Sequence, residues 1–216
     1  MGGGYSARLA QKAPRFYVSR VYLGCMAVRA IILDLYGVLG FNGWQSFKLQ
    51  HFANRPGDWQ HLRALGKQVD EGEASQAEFV AAVARATGEP EATVRYQFEH
   101  TLANKPLLAY ITERLKPNYK LGLLSNASRD VFGTIFAPEE LAVFDVTMSS
   151  FHVGLVKPDL QIFQLMCERL AVRPDECLMI DDTPRHLTAA AKLGMRTVRY
   201  ETFEQTVADI EKALER

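Results

Sequence analysis

The chain has 216 residues, 48% of them hydrophobic, with 25 basic and 25 acidic side chains and a formal net charge of zero. That composition excludes a disordered or low-complexity chain and supplies enough apolar residues for one large core. Zero net charge excludes a global field that would draw the protein onto nucleic acid or an anionic membrane, and no apolar run reaches membrane-spanning length.

Residues 1–26 carry Arg8, Lys12, Arg15 and Arg20 without a single acid and open on Gly2-Gly3-Gly4. With no sustained apolar stretch to make a signal peptide, they are expected to form a disordered extension ahead of an alternative start at Met26. Cys25, Cys167 and Cys177 have neither CxxC spacing nor an even count. This argues against a disulfide framework or a zinc site and makes a reducing cytoplasm the default location.

Ala30-Ile31-Ile32-Leu33 is an apolar run halted by Asp34 and then Gly37, the pattern of a buried strand delivering a carboxylate to the loop at its carboxyl end. Residues 41–105 lack strand-like alternation and read as helical. Phe47, His51 and Phe52 share one face, a break falls at Arg55-Pro56-Gly57, and a second segment runs from Asp58 to Val69. Ser75 and Glu78 make a capping box ahead of Phe79, Val80, Val83 and Ala84, and Gly88 stops that helix. Thr93 to Leu102 predicts one more. A connection this long is an inserted module rather than a loop.

Leu107 to Leu115 predicts a helix, and Leu121 to Leu124 a second buried strand ending in Ser125-Asn126. A short helix over Val131 to Phe136 and a strand over Val143 to Met148 follow. Lys157-Pro158-Asp159 opens the next helix, with Pro158 expected near its first position and Asp159 in its first turn. Leu178-Met179-Ile180 is another strand, broken by Asp181-Asp182. A helix from Pro184 to Leu193 capped by Gly194, a strand over Arg196 to Arg199 and an amphipathic helix over Ala208 to Leu214 complete the chain. Strands alternating with helices predict an α/β fold with a doubly wound parallel sheet.

In such a sheet Asp34, Ser125 with Asn126, Lys157, and Asp181 with Asp182 converge on one edge. Carboxylates gathered at one point repel unless a cation joins them, and hard oxygen ligands suit Mg²⁺. Lys157 offsets the remaining charge and can contact an anionic group, and Ser125 and Asn126 offer hydrogen bonds to its oxygens. A metal-bound carboxylate stays ionised at neutral pH and can act as a nucleophile.

The order Asp34-Leu35-Tyr36-Gly37-Val38, Leu124-Ser125-Asn126, Lys157-Pro158-Asp159 and Ile180-Asp181-Asp182 resembles the four motifs of the haloacid dehalogenase-like (HAD) hydrolase superfamily. The resemblance covers nearly everything after Met26. It implies a Rossmann-like core over 27–40 and 106–216, and an α-helical cap over 41–105. It further implies that Asp34 is a nucleophile forming an aspartyl intermediate. Mg²⁺ would lie at Asp34, the Tyr36 backbone carbonyl, Asp181 and Asp182, while Ser125, Asn126 and Lys157 would bind the transferring phosphoryl group. The expected partner is a small phosphorylated substrate, for a monomer or homodimer.

Phosphatases of that superfamily carry a second Asp two residues after the nucleophile, where this chain has Tyr36. A phenol near pKa 10 is a poor general base at neutral pH, so the expected activity favours activated leaving groups. Asp-Leu-Tyr-Gly also resembles the first motif of 2-haloacid dehalogenases, which attack carbon without a metal. Val38, Phe163 and the Asp181-Asp182 pair depart from that pattern. A non-catalytic binding protein that has lost its acid/base group is the third alternative. His186 falls where relatives often have Asn, and is expected at the site edge or on a helix surface. Trp44, Trp59, Phe47 and Phe52 are expected in the core of the helical module.

Overall fold

The computed structural model describes residues 27–127 and 130–215; the extension expected over 1–26, with Cys25, lies outside the described residues. Five parallel strands form the main sheet: β1 (Ala30–Leu33), β4 (Lys120–Ser125), β5 (Val146–Ser149), β6 (Cys177–Asp181) and β7 (Arg196–Arg199), in the order β5-β4-β1-β6-β7. A two-stranded antiparallel ribbon pairs β2 (Gly40–Phe41) with β3 (Leu102–Ala103). The predicted α/β class with a parallel, doubly wound sheet is therefore the observed one.

Register fixes the site. Leu33 pairs with Leu123 of β4 and with Ile180 of β6, so the next rung across three strands holds Leu124, Asp34 and Asp181. The Asp34 amide continues the ladder by donating to the Ile180 carbonyl at 2.9 Å. Because side chains alternate between faces, these three residues share the face of Ala30, Ile32 and Met179. That face packs against α9 (Leu160–Leu170) and α10 (Pro184–Lys192) in one buried cluster. Ile31, Leu33, Leu123 and Ile180 point the other way, onto α5 (Lys105–Tyr110) and α11 (Phe203–Leu214). Gly122 lets α9 lie close to the sheet, since a Cβ there would come within 3.1 Å of both Leu170 and Met166.

Between β2 and β3 the chain forms α1 (Trp44–Phe52), α2 (Pro56–Asp70), α3 (Gln76–Thr87) and α4 (Glu91–Glu99), which gather their own buried cluster around Phe47, Phe52, Leu62, Phe79 and Val83. Trp44 and Trp59 pack against it, with the Trp44 ring 4.2 Å from Phe98. Ser75 and Glu78 form the predicted capping box, and Gly88 ends α3 at φ +78°. The ribbon at the base of these helices is too short to show alternation in the sequence.

Several predicted boundaries move for local reasons. Asp159 is an N-cap, accepting from the Gln161 amide, so Pro158 lies ahead of α9 instead of in its first turn. Thr202 caps α11 the same way, which starts that helix at Phe203 instead of Ala208. Beyond Tyr110 the predicted helix loosens into a π turn over Ile111–Leu115. Val143 and Phe144 belong to a turn ahead of β5, and the helix near Val131 shrinks to α6 (Phe132–Ile135). Two further single turns, α7 (Pro138–Leu141) and α8 (Ser150–Val153), carry no periodicity long enough to read.

Candidate active site

The loop after β1 is wound around one carbonyl. The Leu35 oxygen accepts from the amides of Val38, Leu39 and Gly40, and Gly37 donates to Gly40. Gly37 adopts φ +86°, and a Cβ there would fall 2.7 Å from the Asp182 carboxyl carbon. Glycine is thus required twice, by the backbone conformation and by the approach of Asp182. Asn104 ties the loop down, donating from Nδ2 to the Val38 carbonyl at 2.8 Å.

Lys157 is buried at the centre of the rung. Its ammonium makes three contacts: Asp34 Oδ1 at 2.6 Å, Asp181 Oδ2 at 2.9 Å and the Leu124 carbonyl at 3.2 Å. Three N–H groups meet three acceptors, one on each adjacent strand, which orients Asp34 and Asp181 together. Asn126 holds Lys157 from behind. Its Nδ2 donates to the Lys157 carbonyl at 2.9 Å, and its Oδ1 accepts from the Lys157 amide at 2.8 Å. Both side-chain amide atoms of Asn126 therefore serve the position of Lys157.

Asp181 is saturated by protein donors. Besides Lys157, it accepts from the Thr183 amide at 2.8 Å and lies 3.1 Å from His186 Nδ1 through either oxygen. An ionised carboxylate only accepts, so His186 carries its proton on Nδ1 and presents a lone pair at Nε2. Nε2 is buried without a partner among the described residues. His186 is thus a buried member of the site and not a surface residue; no residue pattern around it signals this, because its partner arrives through the packing of α10 on β6.

The charges in this cluster do not balance. Three carboxylates, Asp34, Asp181 and Asp182, face one ammonium, and burial lowers the His186 pKa so that it stays neutral. Burial pushes the Asp34 carboxyl up to about 8 against the opposing pull of Lys157, with Asp181 and Asp182 adding to the rise. Burial would also raise Asp181, but Lys157 and His186 outweigh it and hold that carboxyl well below the usual range. When the cluster holds a proton, Asp34 carries it. Burial likewise raises Asp182, against its hydrogen bond from Thr183. With all three carboxyls ionised, two negative charges on hard oxygen donors remain beyond Lys157, which fits one divalent cation. Among the described residues, both contacts to Asp34 use Oδ1.

A cleft of about 1230 Å³ opens over Asp34, Tyr36, Lys157 and Asp182, and Trp44, Trp59 and Phe79 line its helical side. Tyr36 is partly buried against the core beneath the loop. Ser125 is fully buried, donates to the Asn126 carbonyl at 3.3 Å and does not line the cleft. The predicted residues thus come together at one sheet edge, but Ser125 and Asn126 face one another and Lys157 more than they face the cleft. Sequence reasoning missed Asp70 of α2, which lines the cleft from the helical side and belongs to no motif.

A parallel α/β sheet with a buried Asp-Lys-Asp cluster at its carboxyl edge, under a cleft roofed by helices, defines a Rossmann-like α/β protein with a candidate active site at that edge. The chain belongs to the haloacid dehalogenase-like hydrolase family, whose sequence model matches residues 28–194. It is similar to the structure of a predicted HAD-like family hydrolase from Porphyromonas gingivalis, at 26% identity and TM-score 0.66, covering 88% of this chain and 100% of that one. It shares the fold of an HAD family enzyme from Bacteroides thetaiotaomicron solved with magnesium and inorganic phosphate, at 23% identity and TM-score 0.61, covering 82% of this chain and 96% of that one. It is 32% identical to (S)-2-haloacid dehalogenase 4A of Burkholderia cepacia over 100 residues, 45% of this chain and 43% of that protein. Matches to other curated relatives span 8% and 12% of their length, so the chain corresponds to less than half of each of these.

Proposed function

We propose that this protein is a Mg²⁺-assisted hydrolase of small phosphorylated metabolites in which Asp34 is the nucleophile and residues 41–105 act as the cap that closes over the substrate. The observation that carries this reading is the charge excess around Asp34, which a divalent cation would relieve while returning Asp34 to its ionised form. Asp34, the Tyr36 carbonyl and Asp182 would hold the ion. Asp181 is committed to Lys157, Thr183 and His186, so we assign it to orientation instead of direct ligation. Mg²⁺ supplies neutralisation of the phosphoryl oxygens when bound.

Asp34 attacks phosphorus, and an aspartyl phosphate forms as the leaving group departs. Lys157 keeps Asp34 oriented, and Asn126 keeps Lys157 in place. Ser125, buried off the cleft and hydrogen-bonded to the Asn126 carbonyl, supports the position of Asn126. Water then attacks phosphorus and regenerates Asp34. With Tyr36 in place of a carboxyl, activated leaving groups depart fastest. A reducing cytoplasm suits Cys167 and Cys177, whose sulfurs lie 3.6 Å apart and unbridged.

The second reading, a metal-free 2-haloacid dehalogenase, is favoured by Tyr36 and by the Burkholderia relative. Asp182 beside the Gly37 turn weighs against it, because a second carboxylate in the cleft repels a haloacid without a cation. Turnover of an aryl phosphate, an acyl phosphate and 2-chloropropionate, each with Mg²⁺ and with EDTA, tests these readings. Mg²⁺-dependent phosphate release lost in Asp34→Asn is expected. EDTA-resistant halide release would establish the dehalogenase, and no turnover of any substrate would leave a binding protein.

A further inference from the structure

The proposed phosphoryl transfer leaves one chemical need unmet, a proton for the departing oxygen. Among the described residues, three carboxyls line the cleft: Asp34, Asp182 and Asp70. Asp34 and Asp182 belong to the sheet edge and the proposed ion. Asp70 ends α2 on the opposite wall and makes no hydrogen bond or ion pair among the described residues. Asp70 thus lines the cleft partly buried, with no hydrogen bond or ion pair among the described residues that ties it to the helix that carries it.

Lysines and arginines also line the cleft, Lys48 among them, but none is a carboxyl that can both give up a proton and take one back from water near neutral pH. His186 directs its Nδ1–H to Asp181 and offers only a lone pair at Nε2. Tyr36 is a phenol. We propose that Asp70 is the catalytic general acid for leaving-group departure, supplied by the helical cap in place of the carboxyl missing at position 36.

In the first step an Asp34 oxygen bonds to phosphorus, the bond from phosphorus to the leaving oxygen breaks, and that oxygen takes the Asp70 proton. In the second, water bonds to phosphorus, the bond to Asp34 breaks, and the Asp70 carboxylate takes the proton water releases. Asp70 ends protonated, as it began. Its surroundings support this cycle: burial raises its carboxyl to about 6, with Glu71 adding to the rise and Arg185 and Lys157 opposing it. A group near that value is protonated in part just below neutral pH and can both give up and take back a proton.

The proposal rests on the phosphoryl-transfer reading, and its test separates the two. Asp70→Asn, Asp70→Glu, Tyr36→Phe and Asp34→Asn are assayed as kcat/KM, which stops at the first irreversible step, on 4-nitrophenyl phosphate and phenyl phosphate. The nitrophenolate departs without help and the phenolate needs a proton. Asp70→Asn is expected to lower phenyl phosphate turnover by about 10²-fold or more, at least tenfold beyond its effect on 4-nitrophenyl phosphate. Asp70→Glu should recover part of the difference, and the wild-type decline of phenyl phosphate kcat/KM as pH rises through about 6 should vanish in Asp70→Asn. Equal effects on both substrates, no effect, or a selective loss in Tyr36→Phe instead would overturn the assignment. Turnover that survives Asp34→Asn, or absence of phosphate turnover in the wild type, would overturn the parent reading. Thermal melting of Asp70→Asn separates a misfolded variant from a missing acid.

Discussion

Replacing Lys157 with methionine keeps most of the side-chain volume but removes the ammonium that joins Asp34 and Asp181. All three partners are buried, and two of the three lost hydrogen bonds go to carboxylates. Breaking a buried ion pair from one side costs about 3–5 kcal/mol, because the remaining charge is left without compensation. For a chain of this size that corresponds to a fall in melting temperature of about 6–20 °C, from roughly 2–4 °C per kcal/mol. The penalty depends on pH with a definite sign. Asp34 already titrates near 8 in the folded protein, far above its unfolded value, so the folded state holds a proton that the unfolded state has released. Stability from that group is present at low pH and declines as pH rises from about 4 through 8, by at most about 1.4 kcal/mol per pH unit. Without Lys157 the carboxyls hold protons more tightly still, and the variant's deficit should be largest near pH 8 and shrink toward pH 5. Urea unfolding of wild type, Lys157→Met, Asp34→Asn and the double variant at both pH values measures it. A cost below about 1 kcal/mol at pH 8, a cost that does not shrink at pH 5, or an undiminished cost in the Asp34→Asn background would refute the reasoning.

Adding Mg²⁺ should raise the melting temperature more at pH 8 than at pH 5, where a proton on Asp34 competes with the ion; about 2.7 kcal/mol is expected at a hundredfold excess over Kd. Asp182→Asn should abolish the shift, and an equal shift at both pH values would argue against Asp34 as a ligand. Gly37→Ala pairs a left-handed backbone penalty of about 1–2 kcal/mol with a clash against Asp182; calorimetric titration should find Mg²⁺ binding weakened at least tenfold. Ser75→Ala removes the α3 cap and should cost about 1 kcal/mol in urea unfolding, while phosphate turnover stays within twofold.

The fold was legible because its signals are local. The apolar run Ala30–Leu33 ending in Asp34, the Leu121–Leu124 run ending in Ser125, and the Ile180-Asp181 boundary each encode a buried strand with a polar tip, whatever lies around them. The capping box at Ser75 and Glu78 encodes a helix start in four residues. Their order in the chain was enough to bring Asp34, Lys157 and Asp181 to one edge, since parallel strands joined by right-handed crossovers leave little choice.

What tertiary structure decided is how those residues divide the work. Only strand register puts Leu124, Asp34 and Asp181 on one rung, where a single ammonium satisfies all three, and sequence spacing contains no information about register between distant strands. Only the packing of α10 on β6 buries His186 against Asp181. Only the placement of α2 across the cleft turns Asp70, unremarkable among the charges of a helix end, into a carboxyl facing the site. Strand identity is written in neighbouring residues and survives without context. The charge balance of a buried site depends on distances between elements far apart in the chain, and folding alone sets those.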